Sequence, residues 1–160
     1  MRRSSPNRIK NHTSNQHGKA SYRQMNTTPN SASKAFVAYT SRDPELSNTI
    51  ETGVAKANRM TSKSLRYMPW IFNDIAGNPI ISPILDNIES STFVVADITY
   101  LNPNVVYEIG YAIGQRRRCF LIRHSSTDGD KKIAREIGIF DTLGYDTYSN
   151  ADELADSLTA

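Results

Sequence analysis

The 160-residue chain has a single cysteine and no apolar run long enough to cross a membrane. One cysteine cannot form a disulfide within the chain, so we expect a reducing compartment. Cys119 stands in the apolar run Cys-Phe-Leu-Ile, which is typical of a core strand. A membrane helix needs about 18 or more consecutive apolar residues. The sequence therefore predicts a cytoplasmic protein with no membrane partner.

Several common chemical motifs are also missing. No Gly-x-x-x-x-Gly-Lys phosphate loop and no Gly-x-Gly-x-x-Gly turn follows the first strand-like segment. No His and Cys residues have the spacing of metal ligands, and no elbow motif supports a Ser-His-Asp triad. We therefore expect neither a metal nor a bound cofactor.

Acidic residues are absent from the start of the chain. Residues 1–35 hold seven Lys and Arg and no acid, which leaves twelve basic and sixteen acidic residues in the remainder. Residues 1–33 have almost no large apolar side chain, so we expect a disordered basic tail followed by one folded domain over 34–160. Because the net charge of +3 comes from the tail, the domain is expected to have no basic face and no specific nucleic-acid partner.

From residue 34 onward, strand-like and helix-like segments alternate. Strands are predicted over 34–39, 66–72, 93–97, 119–124 and 145–149. Three helices are predicted to begin with Asx-Pro pairs, Asp43-Pro44, Asn78-Pro79 and Asn102-Pro103, and a last helix over 151–158 to be capped by Asn150. A short helix or extended piece is expected over 133–140. This alternation predicts an α/β fold with three layers, flavodoxin-like, whose five-stranded parallel sheet has the order 2-1-3-4-5.

The predicted order places a crevice between the first and third strands, at their carboxyl ends. Residues 39–42 would then lie beside residues 97–104. Glu108 falls at the edge of the apolar face of the following helix. Such a carboxylate is either part of a ligand site or an ordinary helix-flank acid hydrogen-bonded to a loop, and spacing alone does not separate the two.

The candidate substrate-binding residues around this crevice come from three segments. Ser and Thr hydroxyls after the first strand would hold a phosphate or ribose, or would only cap the helix. Trp70 would stack on a planar ring or cover the sheet edge, and covering is favoured. Pro69 also indicates an edge strand, because proline has no N–H to donate to a neighbouring strand. Asp97 would hold a sugar or order the loop. The full set is Tyr39, Thr40, Ser41, Arg42, Trp70, Asp97 and Asn104.

The stretch A-D-I-T-Y-L-N-P-N-V-V-Y-E-I-G-Y-A-I-G, residues 96–114, resembles the strand-turn-helix signature of bacterial TIR-like (Toll/interleukin-1 receptor-like) nucleotide-binding domains. It is also similar, more loosely, to nucleoside 2-deoxyribosyltransferases. The resemblance extends over about 35–158, including the segments A-F-V-A-Y-T-S-R and P-I-I-S-P-I-L-D-N-I.

The resemblance implies that Glu108 is a catalytic carboxylate that acts at the anomeric carbon of a ribosyl group. It implies an NAD⁺ nucleosidase, with NAD⁺ or a related nucleotide as substrate rather than cofactor, in bacterial antiviral defence or signalling. It also implies activation by self-association or by a partner domain.

One departure from the pattern bears on the choice of reaction. Deoxyribosyltransferases usually carry a second acid shortly before the glutamate, whereas this chain has Asn102-Pro103-Asn104 there. That difference counts against base exchange between nucleosides. The alternatives are a deoxyribosyltransferase-like N-glycosidase and a non-catalytic nucleotide-sensing or self-associating module.

Overall fold

The computed structural model describes residues 32–61, 63–73, 81–100, 102–125 and 143–160. The predicted basic tail lies outside the described residues except for Ala32 and Ser33. The Asn78-Pro79 helix start and the segment 133–140 lie outside them as well.

The described strands form one parallel sheet. They are β1 Ser33–Ala38, β2 Leu65–Pro69, β3 Phe93–Asp97, β4 Arg118–His124 and β5 Asp146–Tyr148. Their order is β2-β1-β3-β4-β5, and every neighbouring pair is parallel. The predicted three-layer α/β fold with strand order 2-1-3-4-5 is therefore confirmed.

Four α-helices of the described chain cover the two faces of the sheet: α1 Pro44–Met60, α2 Ile81–Ser90, α3 Pro103–Gly114 and α4 Ala151–Thr159. The Asp43 side chain accepts hydrogen bonds from the backbone N–H groups of Glu45 and Leu46 at the start of α1. Asn102 accepts from the N–H of Asn104 in the same way. Asn150 caps α4, so all three described caps match the prediction.

The second strand is shorter than predicted. The sequence indicated a strand over 66–72, but β2 ends at Pro69 and Trp70–Asn73 forms a 3₁₀ helix. Proline has no N–H to donate and favours a fixed φ, so it ends the ladder where the apolar pattern alone would continue it. Its predicted edge position is confirmed, since β2 lies at the end of the sheet order.

Alternation along the strands divides the core into two layers. Ala35, Val37 and Val95 pack under α1 and α4, while Phe36, Ala38 and Val94 pack under α2 and α3. No helix in the described part of the chain combines the length and the apolar character needed to span a bilayer. The central strands β1 and β3, buried on both faces, fix the position of the loops that leave their carboxyl ends.

Candidate active site

A cavity of about 350 Å³ opens at the carboxyl ends of β1 and β3. This is the point at which the strand order reverses, where parallel sheets usually bind ligands. Its walls come from the loop after β1, the 3₁₀ helix, α2 and the first turns of α3. The described lining consists of Tyr39, Ser41, Trp70, Ile84, Asn102, Asn104, Val105, Tyr107 and Glu108.

Glu108 is the only ionisable carboxylate among these lining residues, and its side chain is 7% exposed. Burial raises the pKa of this carboxyl group to about 7, because desolvation penalises the charged form. Among the described residues its carboxylate has no hydrogen-bond or ion-pair partner. Near neutral pH this group therefore exists both as a base or nucleophile and as a proton donor.

An aromatic wall stands opposite α3. The ring centroids of Tyr39 and Trp70 lie 6.0 Å apart with their planes tilted by 57°. The Tyr39 hydroxyl donates a 2.9 Å hydrogen bond to Glu51 Oε1. Trp70 packs against both core layers and also lines the cavity, so it covers the sheet edge and contributes apolar surface to the cavity wall. Its indole N–H is buried with no hydrogen-bond partner in the described structure.

A side-chain clamp joins two walls of the cavity. Asn102 Nδ2 donates a 3.0 Å hydrogen bond to Thr40 Oγ1, and Asn102 Oδ1 accepts from the N–H of Asn104. The Thr40 carbonyl also accepts from Ser47 Oγ at 2.9 Å. The loop after β1 is thereby fixed both to the start of α3 and to α1. Asn102 sets the distance between the Ser41 side and the Glu108 side of the cavity.

The burial and hydrogen bonding of Asp97 differ from those of the other candidates. It is 1% exposed and accepts hydrogen bonds from Thr99 N–H at 3.1 Å, Thr99 Oγ1 at 2.9 Å and Tyr148 Oη at 2.7 Å. Burial raises its pKa to about 6, although these bonds oppose the shift. Of the two alternatives left open by the sequence, the structure places Asp97 where it orders the turn after β3.

The structure thus brings together Tyr39, Ser41, Trp70, Asn104 and Glu108 around one cavity. Thr40, Arg42 and Asp97 are not part of its described lining: Thr40 braces the loop, and the Arg42 side chain is exposed. Substrate binding by any of the candidates stays a prediction.

The candidates chosen from the sequence omit four lining residues, Ile84, Asn102, Val105 and Tyr107, and also Glu51 behind the lining. Tyr107 lines the cavity and stacks on Tyr111 with ring centroids 6.4 Å apart. The sequence signal that could have identified Tyr107 is its position directly before Glu108. Glu51 holds the Tyr39 hydroxyl from the second turn of α1, and no local pattern connects these two residues.

Comparison with known proteins gives the fold and no family. No family model matches the chain, and no curated protein matches it. The structure of a CMP N-glycosidase, BcmB, from Clostridium botulinum is similar with a TM-score of 0.53 and 17% identity, over 78% of this chain and 96% of that one. A conserved protein from Enterococcus faecalis V583 is similar with a TM-score of 0.54 and 13% identity, over 80% of this chain and 98% of that one.

The TIR-like part of the predicted resemblance has no support in these comparisons. At such low identity the likeness to solved structures concerns the backbone alone. The chain shares its three-layer α/β fold with a CMP N-glycosidase and with a conserved enterococcal protein.

Proposed function

We propose that this protein is an N-glycosidase that cleaves the bond between a base and the ribosyl group of a nucleotide or nucleoside. The observation that carries the proposal is the Glu108 carboxyl group, buried and unpaired among the described residues, in the wall of a cavity at the switch point of the sheet. The shared fold with a CMP N-glycosidase supports it as an analogy.

The chemistry needs one carboxylate in a partly apolar site. When the base departs with the bonding electrons, the anomeric carbon becomes an oxocarbenium-like cation. The Glu108 carboxylate stabilises that charge or bonds to the carbon, and water then completes hydrolysis. Low polarity around the carboxylate strengthens its attraction to the developing cation. Asn104 and Ser41, which line the same cavity, supply polar groups for the sugar hydroxyls.

Two substrate classes are candidates, and each is supported by a different comparison. The C. botulinum neighbour is a glycosidase of CMP, a nucleoside monophosphate with a neutral base. The sequence of residues 96–114 resembles that of domains that act on NAD⁺, whose nicotinamide carries a positive charge. A cationic base leaves without being protonated, whereas a neutral base leaves better with a proton.

The direct test is incubation of the full chain with CMP, NAD⁺ and deoxynucleosides, followed by chromatography of the released base. The assay covers low and high protein concentrations, because the family resemblance implies activation by assembly. We expect Glu108→Gln to lower turnover at least about 100-fold while ligand binding changes little, because it keeps the shape and removes the charge.

The matched control is Asp86→Asn, which removes an exposed carboxylate on α2, and it should keep wild-type turnover. Saturable nucleotide binding with no base release at any protein concentration would indicate a nucleotide-sensing module rather than an enzyme. Equal turnover in wild type and Glu108→Gln would refute the assignment of Glu108.

The pH dependence of kcat/KM should identify the substrate class. Because the pKa of Glu108 is about 7, hydrolysis of a substrate with a cationic base should rise with pH and level off above about 8. For a neutral base, Glu108 would give its proton to the departing base, and the carboxylate left by this transfer would stabilise the cation, so the rate should fall above pH 7. Initial rates from pH 5 to 9 with CMP and with NAD⁺ provide this comparison.

A further inference from the structure

A second cavity lies at the opposite end of the sheet from Glu108. Its volume is about 280 Å³, and it opens at the amino ends of β3 and β4 beside the end of α4. Aromatic side chains of Tyr67, Phe93 and Phe120 line it, with Arg118 and Thr92 at its exposed rim. Nothing in the proposed glycosidase reaction uses this cavity.

Positive charge is concentrated around the same end. Seven of the ten described Lys and Arg residues lie at the amino end of the sheet, on strand starts, at the end of α1 or in the turns that lead into the strands. The six exposed ones are Lys34, Arg59, Lys63, Arg66, Arg116 and Arg118. Of the described acids, three lie at this end: Glu89, Asp156 and Asp146, the last of which accepts a 3.1 Å hydrogen bond from Ser157 Oγ.

The fold creates this surface although the domain is acidic overall. Lys34 pairs in register with Arg66, and Phe93 pairs with Arg118, so cations begin three of the four adjacent strands β2, β1, β3 and β4. At about 4.8 Å between strands, Arg66 and Arg118 are separated by about 14 Å across the sheet. Net charge alone predicted no basic face, and the structure differs because parallel strands align their starting residues.

The segment that precedes the domain is also basic. Residues 1–31 hold six Lys and Arg and no acid, and they join the domain at the amino end of β1. This segment is therefore joined to the chain at the end of the sheet that carries the described cations. A long polyanion fits this distribution better than a single phosphate does.

We propose that the amino end of the sheet binds single-stranded nucleic acid, with phosphates on the cations and a base in the aromatic cavity. The aromatic surface lies in a recess, so a base on a flexible strand can enter it. In a duplex the bases are paired and stacked. An anionic bilayer would attract the same cations, but it would leave the aromatic recess unoccupied. Aromatic stacking between cations is the usual arrangement for single strands and tolerates any sequence.

The test uses the full chain and a fluorescein-labelled 20-nucleotide thymidine strand, with anisotropy measured from 50 to 300 mM NaCl. Replacing Lys34, Arg66 and Arg118 by Ala should make the slope of log K against log salt shallower by about 2, since each phosphate contact on a single strand contributes about 0.7. The control Lys56→Ala removes one cation that is not part of this set and that forms an ion pair with Asp152, and it should change the slope little.

Two further variants test the cavity separately. Phe120→Leu removes an aromatic ring from its wall, and Thr92→Glu places a carboxylate at its rim while it leaves the core intact. Each should weaken binding of the strand about tenfold. Thermal unfolding identifies any variant that fails to fold. Glu108→Gln should bind the strand as the wild type does, so this surface is tested independently of the glycosidase.

Three results would overturn the proposal. If the triple variant binds like Lys56→Ala, the tail alone holds the strand. If both cavity variants bind like the wild type, no base enters the recess. If anionic phosphatidylserine vesicles or a 20-base-pair duplex compete better than the unlabelled strand, the surface serves a membrane or a duplex.

Discussion

At the scale of single residues, burial of the Glu108 carboxyl group affects both the stability of the fold and the proposed reaction. Val105, Ile109 and Ala112 bury one face of α3 in the core, and Glu108 lies at the margin of that face. A glutamine or leucine there would avoid the cost of burying a carboxylate. Retaining an acid that has no partner among the described residues beside a cavity is typical of a functional site, where stability is lost to keep a reactive group.

The cost of this acid should be visible in the pH dependence of unfolding. The pKa of Glu108 is about 7 in the folded chain and ordinarily 4.5, so the folded state binds this proton more tightly than the unfolded state does. Stability from Glu108 is full below pH 4.5 and is lost as the pH rises to about 7. The loss is about 3 kcal/mol, at about 1.4 kcal/mol for each pH unit between the two values.

Urea unfolding of wild type and Glu108→Gln at pH 4.5 and pH 8 provides the measurement. The variant has no ionisable group at position 108, so its advantage over the wild type should grow with pH. A constant difference between the two proteins would show that Glu108 ionises freely in the folded state.

At the scale of elements, three helix glycines have different environments. A Cβ built on Gly53 in α1 would lie 2.9 Å from Leu154 Cδ2 and 3.0 Å from the Ala151 carbonyl oxygen, so α4 approaches α1 closely at this point. A Cβ on Gly110 or Gly114 in α3 would meet no described atom within 4 Å. The first glycine permits helix packing, and intramolecular packing in the described structure does not require the other two.

Alanine substitution should therefore have opposite effects at these sites. Gly110→Ala should stabilise the fold by up to about 1 kcal/mol through helix propensity. Gly53→Ala gains the same propensity but forces α1 and α4 apart, at a cost of about 1–3 kcal/mol. Chemical denaturation of both variants gives the comparison. Equal stabilisation by the two substitutions would mean that the helices separate without cost.

At the scale of the whole molecule, a buried hydrogen bond ties the edge of the sheet to its centre. Asp97 ends β3, and Tyr148 ends β5 two strands away, with β4 between them. The Tyr148 hydroxyl donates to Asp97 Oδ2 at 2.7 Å. This bond holds the short strand β5 and the following helix α4 to the turn that leads toward Glu108.

Tyr148→Phe should destabilise the protein by about 1–3 kcal/mol, because it leaves a buried carboxylate with one partner fewer. The effect should be larger at pH 8 than at pH 5, since the pKa of Asp97 is about 6 and its charged form needs the donor more. Melting temperatures at the two pH values measure this. Tyr145→Phe, which removes the hydroxyl of an exposed tyrosine, is the control and should change stability little. A loss of stability that does not depend on pH would show that Tyr148 acts by packing alone.

The sequence by itself determined the elements and their order. Apolar runs such as 93–96 marked the buried strands, and Asp43-Pro44 and Asn102-Pro103 marked the helix starts, because caps and proline act on their nearest neighbours. The crevice and its candidate glutamate followed from strand order, since a parallel sheet aligns the carboxyl ends of its strands.

Only the tertiary structure decided which side chains meet. It joined Tyr39 to Glu51, Thr40 to Asn102 and Asp97 to Tyr148, pairs that are 12, 62 and 51 residues apart. It also gathered scattered cations at one end of an acidic domain. The predicted strand order brought residues 39–42 close to residues 97–104, but it did not identify the pairs, because side-chain contacts depend on the register and spacing of distant segments.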